Sequence, residues 1–220
     1  MWRAALNGDY MIYGVGINDA NYRVQLKSSK RNGNLKREFK VIWVCPYYRK
    51  WKEMLRRCYD KKFLAKSRTY VGCSVHAPWL RFSEFRLWCV LQETLYGVSI
   101  EMSQLDKDLL CFGNREYHPD KCLLLDKKIN TLLTDSLNSR GEYPIGVTLD
   151  KRSGKFMARI SKHGKNLWLG RFNLPEDAYF AWKIERISYL KEVAMEYEGV
   201  YENKISNSIL LISAQLACAS

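Results

Sequence analysis

The sequence predicts an α+β chain in two parts, and three stretches predict it. Residues 143–182, YPIGVTLDKRSGKFMARISKHGKNLWLGRFNLPEDAYFAW, hold three short β-patterned runs, 145–149, 155–161 and 167–172. Glycine-bearing basic turns, KRSGK and KHGKN, separate them, which is the pattern of tight antiparallel hairpins. A proline then opens a helical pattern with Glu176 and Asp177 in its first turn, where a helix N-terminus favours negative charge. Upstream, Pro46 opens an amphipathic helical pattern, and residues 104–133 read as strand, Gly-Asn turn, strand and helix. The expected architecture is a helix-rich N-terminal region ending in a ββα element, then a three-stranded antiparallel sheet packed on one helix. The expected boundaries are 1–136 for the first region, a polar linker (LNSRGE) at 137–142, the sheet region at 143–198 and an apolar tail at 199–220.

A chain of 220 residues is long enough for two small cores, and 47% apolar with 13% aromatic residues argues against disorder. The net charge of +13 favours a polyanionic partner, nucleic acid before an anionic membrane. That excess is regional. From Arg23 to Arg68 there are 16 Lys or Arg against Glu38, Glu53 and Asp60, while the rest of the chain balances at 20 against 20. The first ten residues carry no signal-peptide pattern, and no apolar run approaches the length that spans a bilayer. Seven cysteines, an odd number without framework spacing, suit a reducing compartment, so a cytoplasmic protein is expected.

Taken in order, YGVGINDANYRVQL reads as a strand or two, SSKRNGNLKR as a mobile basic loop, and residues 39–44 as a short strand. In the helix from Pro46, Tyr47, Tyr48, Trp51, Met54, Leu55 and Cys58 recur at three- and four-residue steps. Arg49, Lys50, Lys52, Arg56 and Arg57 fall on the opposite face, which is either a solvated surface or a phosphate-tracking one. Trp79, Phe82, Phe85 and Trp88 step by three, a stripe that reads as core on a short helix.

In the sheet region, alternation puts Phe156, Ala158 and Ile160 on one face, against Met157, Arg159 and Ser161 on the other. Leu167 and Leu169 share a face, and Trp168 takes the opposite one. From Val147 to Arg171 seven Lys or Arg stand against one acid, Asp150. The helix-free face should therefore carry cations and a bare tryptophan, which calls for a partner with planar groups and phosphates. The following helix, from about 176 to 197, should bury Ala178, Ala181, Ile184, Ile187, Leu190 and Ala194 against Phe156, Ile160, Leu167 and Leu169. The tail is either a last docked helix or frayed.

The series GV…GKF.A.I…GK..WLG.F…EDA…AW resembles the ethylene-response-factor (Apetala-2 type) DNA-binding domain. That resemblance implies a three-stranded sheet laid in the major groove and backed by one helix. Carried over by position, it places Lys151, Arg152, Arg159, Lys165, Trp168 and Arg171 on the DNA-facing strands. Phe156 stands where the family usually has tryptophan, and Arg159 and Ser161 replace the usual Glu and Arg, so base preference is not carried over.

Between Trp51 and Asn130, WKEMLRRCY, the GCSV..PWL.F..F..W series, LDKD, GN..Y.P..C and the IN pair resemble bacteriophage-encoded HNH homing-endonuclease-like proteins. The resemblance implies metal-dependent DNA cleavage, in which a histidine deprotonates water and a divalent cation stabilises the leaving oxyanion. Asp106 takes the place of the metal-ligand acid and Asn130 that of the last position. Lys107 stands in place of the catalytic histidine and Lys121 in that of the middle asparagine. A protonated lysine is no base at neutral pH. The candidate catalytic set is therefore Asp106, His118 and Asn130, with Asp106 and Asp108 as ligands for Mg²⁺ or another divalent cation. Arg49, Arg56 and Arg57 are the added phosphate contacts. Asp106, Asp108 and Asn114 also read as plain turn chemistry. Cys73-x2-His76 and His118-x3-Cys122 have the residue types of a zinc site, but they come from distant segments without a tight knuckle, so structural zinc is not expected. The expected partner is double-stranded DNA, in the host cytoplasm for a phage-encoded chain.

Overall fold

In the computed structural model the structure describes residues 11–31, 37–133 and 142–218, side chains 30, 31, 37, 38 and 133 excepted. The expected linker therefore lies, apart from Glu142, outside the described residues. The chain divides into two compact units, Met1–Leu133 and Thr134–Ser220, and the fold is α+β.

From residue 11 the first unit runs through turns instead of the strand or two expected before Gln25, tied down by bridges Ile12↔Gly16 and Ile17↔Arg81. An antiparallel ribbon follows, β1 (Gln25–Arg31) with β2 (Arg37–Val44), so strand extends into much of the stretch read as a basic loop. Proline at the first turn, with its preset φ, starts α1 (Pro46–Tyr59). Tyr48, Trp51, Met54, Leu55 and Cys58 are buried as the periodicity requires, and the Trp51 indole donates to the Trp79 carbonyl at 2.7 Å. The Asp60 carboxylate accepts the backbone amides of Lys62 and Phe63, capping α2 (Lys61–Lys66). After β3 (Ser74–Val75), a 3-10 turn at Ala77–Leu80 carries Trp79, and α3 (Phe82–Tyr96) carries Phe82, Phe85 and Trp88. The aromatic stripe is core, all four residues being buried, but two elements share it instead of one helix. Gly97, at φ 66°, ends α3 in the left-handed conformation a C-cap favours.

The expected strand, turn, strand and helix follow as β4 (Ser103–Asp106), a loop containing β5 (Glu116–Tyr117), β6 (Leu123–Asp126) and α4 (Lys127–Leu133). β4 pairs antiparallel with β6. β5 leaves that hairpin to pair in parallel with β3, a long-range contact that local patterning cannot encode.

The second unit is the sheet β7 (Val147–Asp150), β8 (Lys155–Lys162) and β9 (Lys165–Phe172), antiparallel in that order, with α5 (Pro175–Glu196) and α6 (Lys204–Cys218). His163 and Gly164 both have positive φ, 49° and 73°, as a two-residue hairpin loop matched to the strand twist demands. Val147, Ala158 and Ala178 form a small core over which Phe156, Leu169 and Tyr179 pack. Gly146 allows the closest approach: a Cβ there would lie 2.0 Å from Trp182 Cδ1.

In α5, Ala178, Leu190 and Ala194 are buried as expected, Ala181 and Ile187 are half-buried, and Ile184 is exposed; Trp182, Tyr189 and Val193 take the remaining core positions. The helix serves two partners, the sheet and α6, so no single stripe describes it. The tail is the second of those partners: α6 buries Ile205, Ile209 and Ser213. Leu167, on the outer strand, stays partly exposed. No helix among the described residues is long and apolar enough to cross a membrane.

Candidate nucleic-acid interface

The helix-free face of β7–β9 is built by an irregularity. Met157 pairs with Arg171, Ala158 with Gly170, and Arg159 with Trp168, so Leu169 is an extra residue in β9. Strict alternation would set Trp168 and Arg171 on opposite faces. The bulge removes one step of the alternation and brings both to the face of Arg159. Leu169 packs towards the core. The result is a tryptophan, 49% exposed, with two guanidiniums beside it: Arg159 Cζ is 5.4 Å and Arg171 Cζ 5.7 Å from its ring. Both are within cation–π range, so the charges and the ring form one cationic, aromatic group.

Lys151 and Arg152 lie exposed in the β7–β8 turn, whereas Lys165, expected on the DNA-facing side, is exposed but pairs across the ladder with Lys162 and by register takes the helix-side face. Asp150 is the one acid of the stretch and is already engaged. It accepts the Ser153 hydroxyl and the Arg152 amide and lies 3.6 Å from Arg171, and these contacts hold its carboxyl below its ordinary value, Ser153 most of all. Lys162 is withdrawn from the face, pairing with Glu185 and Glu192 of α5 at 3.2 and 2.8 Å. Beside it the His163 ring meets Glu192 at 2.6 Å. His163, Glu192 and Glu196 bring ligand atoms within 4.8 Å of one another, a cluster the sequence reading missed; its signal was two glutamates four residues apart facing a turn histidine. With the Lys162 ammonium already on Glu192, it acts as an ionic tie between hairpin and helix.

On α1, Arg49 is exposed and lines a cavity of about 440 Å³ together with Lys50, Arg57 and Lys127. Arg56 is exposed, with its guanidinium over Phe63 at 4.9 Å. Arg57, expected on the phosphate-facing surface, instead turns inward, donating to the Tyr117 hydroxyl at 3.5 Å over the Tyr70 ring. Lys50 likewise donates to the Ser103 carbonyl, and burial lowers its pKa. The helix's cationic face is thus split between solvent and the packing against neighbouring loops.

The ββα element places its candidate residues differently from a metal site. Asp106 Oδ1 accepts the amides of Asp108 and Leu109 at 3.0 and 2.8 Å, and burial raises its carboxyl pKa. Lys107 is buried; its ammonium lies 2.5 Å from Asp108 Oδ1 and donates to the Asn114 carbonyl at 2.7 Å. The Asn114 amide staples the loop through Lys107 and Glu116 carbonyls, which is turn chemistry. Asn130 donates to the Gln104 side chain, and Lys121 pairs with Glu116. The His118 Nδ1 accepts the Asp120 amide. Among the described residues no third His, Cys, Asp or Glu converges on Asp106 and Asp108. A divalent cation needs several free oxygens. Here a buried ammonium already occupies the carboxylate it would need and repels a second cation. These residues do not fit the ion.

Parallel pairing of β3 with β5 brings the two Cys/His segments together after all, with the His76 and His118 rings 4.3 Å apart. No three ligand atoms of Cys73, His76, His118 and Cys122 gather within 4.8 Å, and burial pushes the Cys122 thiol up to about 12. No protein-family model, curated protein or solved structure matches the chain.

Proposed function

We propose that this chain binds double-stranded DNA, laying the β7–β9 sheet in the major groove. One observation carries the reading: the Arg159–Trp168–Arg171 stack on the open face of the sheet. Guanidiniums are the side chains that read guanine edges and phosphates in a fork geometry, and a flat aromatic beside them supplies apolar contact without a flexible stem. The exposed Lys151 and Arg152 supply backbone contacts that hold the register. The motif resemblance to the Apetala-2 type domain and to phage homing-endonuclease-like proteins supports the same docking. The ββα element is then a scaffold that has lost cleavage, because Lys107 stands in place of the catalytic histidine and its ammonium is held on Asp108. Duplex binding measured by fluorescence anisotropy tests the reading. Arg159→Ala and Trp168→Ala should each weaken binding by about 1–3 kcal/mol, with thermal stability unchanged. Unchanged affinity in both would sink it. Plasmid nicking in Mg²⁺ or Mn²⁺ that disappears in Asp106→Ala would overturn the loss of cleavage while leaving the binding surface standing.

A further inference from the structure

The β1–β2 ribbon in the first unit has no role in that reading, yet its surface is unusual. Of its described side chains from Leu26 to Trp43, all but Ser28 are exposed, including Phe39 at 64% and Ile42 at 62%. Within residues 25–44 six Lys or Arg stand against Glu38 alone. A two-stranded ribbon is marginal by itself, and this one keeps its apolar residues in water.

The register also decides what kind of surface would cover it. Lys27 faces Val41 and Ser29 faces Phe39 on one side, while Lys40 faces Ser28 on the other. A bilayer wants apolar residues segregated from charge, and burying the Phe39 face would bury the Lys27 ammonium with it. A DNA groove offers phosphates along both walls and bases between them, and the major groove, about 12 Å wide, admits a two-stranded ribbon. We propose that the β1–β2 ribbon is a second DNA-contacting arm, with Phe39 against the bases and Lys27, on the same face, on a backbone phosphate. This inference rests on duplex DNA being the ligand, and it requires nothing of the β7–β9 sheet.

The test uses the full chain and a mixed-sequence duplex, with the logarithm of affinity followed against the logarithm of salt concentration. The Lys27→Gln variant should lower the steepness of that line by about one, for the lost phosphate contact. Lys27→Arg should keep it, and Phe39→Ser should weaken binding without altering the slope. Circular dichroism confirms that these surface changes leave the fold intact. An unchanged slope and affinity in the glutamine variant overturns the arm, even where Trp168→Ala weakens binding and the sheet reading survives. The reverse pattern, with the glutamine variant weakened and Trp168→Ala silent, keeps the arm and removes the sheet. Binding of the wild type to phosphatidylserine vesicles but not to duplex, lost in the glutamine variant, overturns the arm in favour of a membrane surface.

Discussion

Leu169 sets the geometry of the proposed DNA surface without belonging to it. Its extra place in β9 turns Arg171 to the side of Trp168, and nothing in the alternation of LWLGRF announces it. Gly146 is a second position where one residue type is required. Its φ of 80° disfavours any side chain, and a Cβ would collide with the Trp182 ring. Gly146→Ala should cost about 3 kcal/mol or more, combining left-handed strain with overpacking, measured by urea denaturation. Asp106 makes an opposite prediction. Burial raises its pKa, so the folded state holds that proton more tightly than the unfolded chain does. Stability therefore falls as pH rises from the ordinary carboxylate value, about 3.9, through the folded value, and the cost persists at neutral pH. Asp106→Asn keeps the amide-accepting oxygen and removes the charge. It should be more stable than wild type at pH 7, with the difference gone below the ordinary carboxylate range, as denaturation at the two pH values would show.

At the scale of elements, local pattern and tertiary partner contributed unequally. The Trp51 helix and the Trp79–Trp88 stripe were legible because each meets one core, so a three- to four-residue period is sufficient to identify the buried face. α5 was legible only in part. It packs on the sheet and on α6, which exchanges Ile184 for Trp182, Tyr189 and Val193 in the core. α6 is accordingly structural, and Ile209, wholly buried, is its anchor. Ile209→Ala should lower stability by about 2–5 kcal/mol in a chemical denaturation curve, whereas Leu211→Ala, at an exposed position, should change little.

Across the whole molecule, the charge of +13 is the property most directly tied to the proposed partner. A surface that neutralises six or more phosphates should lose roughly a thousandfold in duplex affinity between 50 and 200 mM salt. A shallow dependence in anisotropy titrations would exclude an electrostatic docking surface on this scale. Part of the charge is already committed: Arg57 to Tyr117, Lys107 to Asp108, Lys162 to Glu185 and Glu192. The count of cations in the sequence therefore exceeds the count available to a ligand, and only the packing separates the two.

The sequence by itself determined the α+β class, the hairpin turns, the ββα order and the identity of most core residues, because these follow from periodicity, glycine, proline and apolarity within a few residues. Tertiary structure alone decided four things. It aligned Arg171 with Trp168 through a bulge, turned Arg57 inward, brought His76 against His118 through the β3–β5 pairing, and buried Lys107 beside Asp108. Each depends on a contact between residues whose partners are chosen by register or by distant packing. A one-residue change in register reverses which face a side chain takes, and no local composition records that choice.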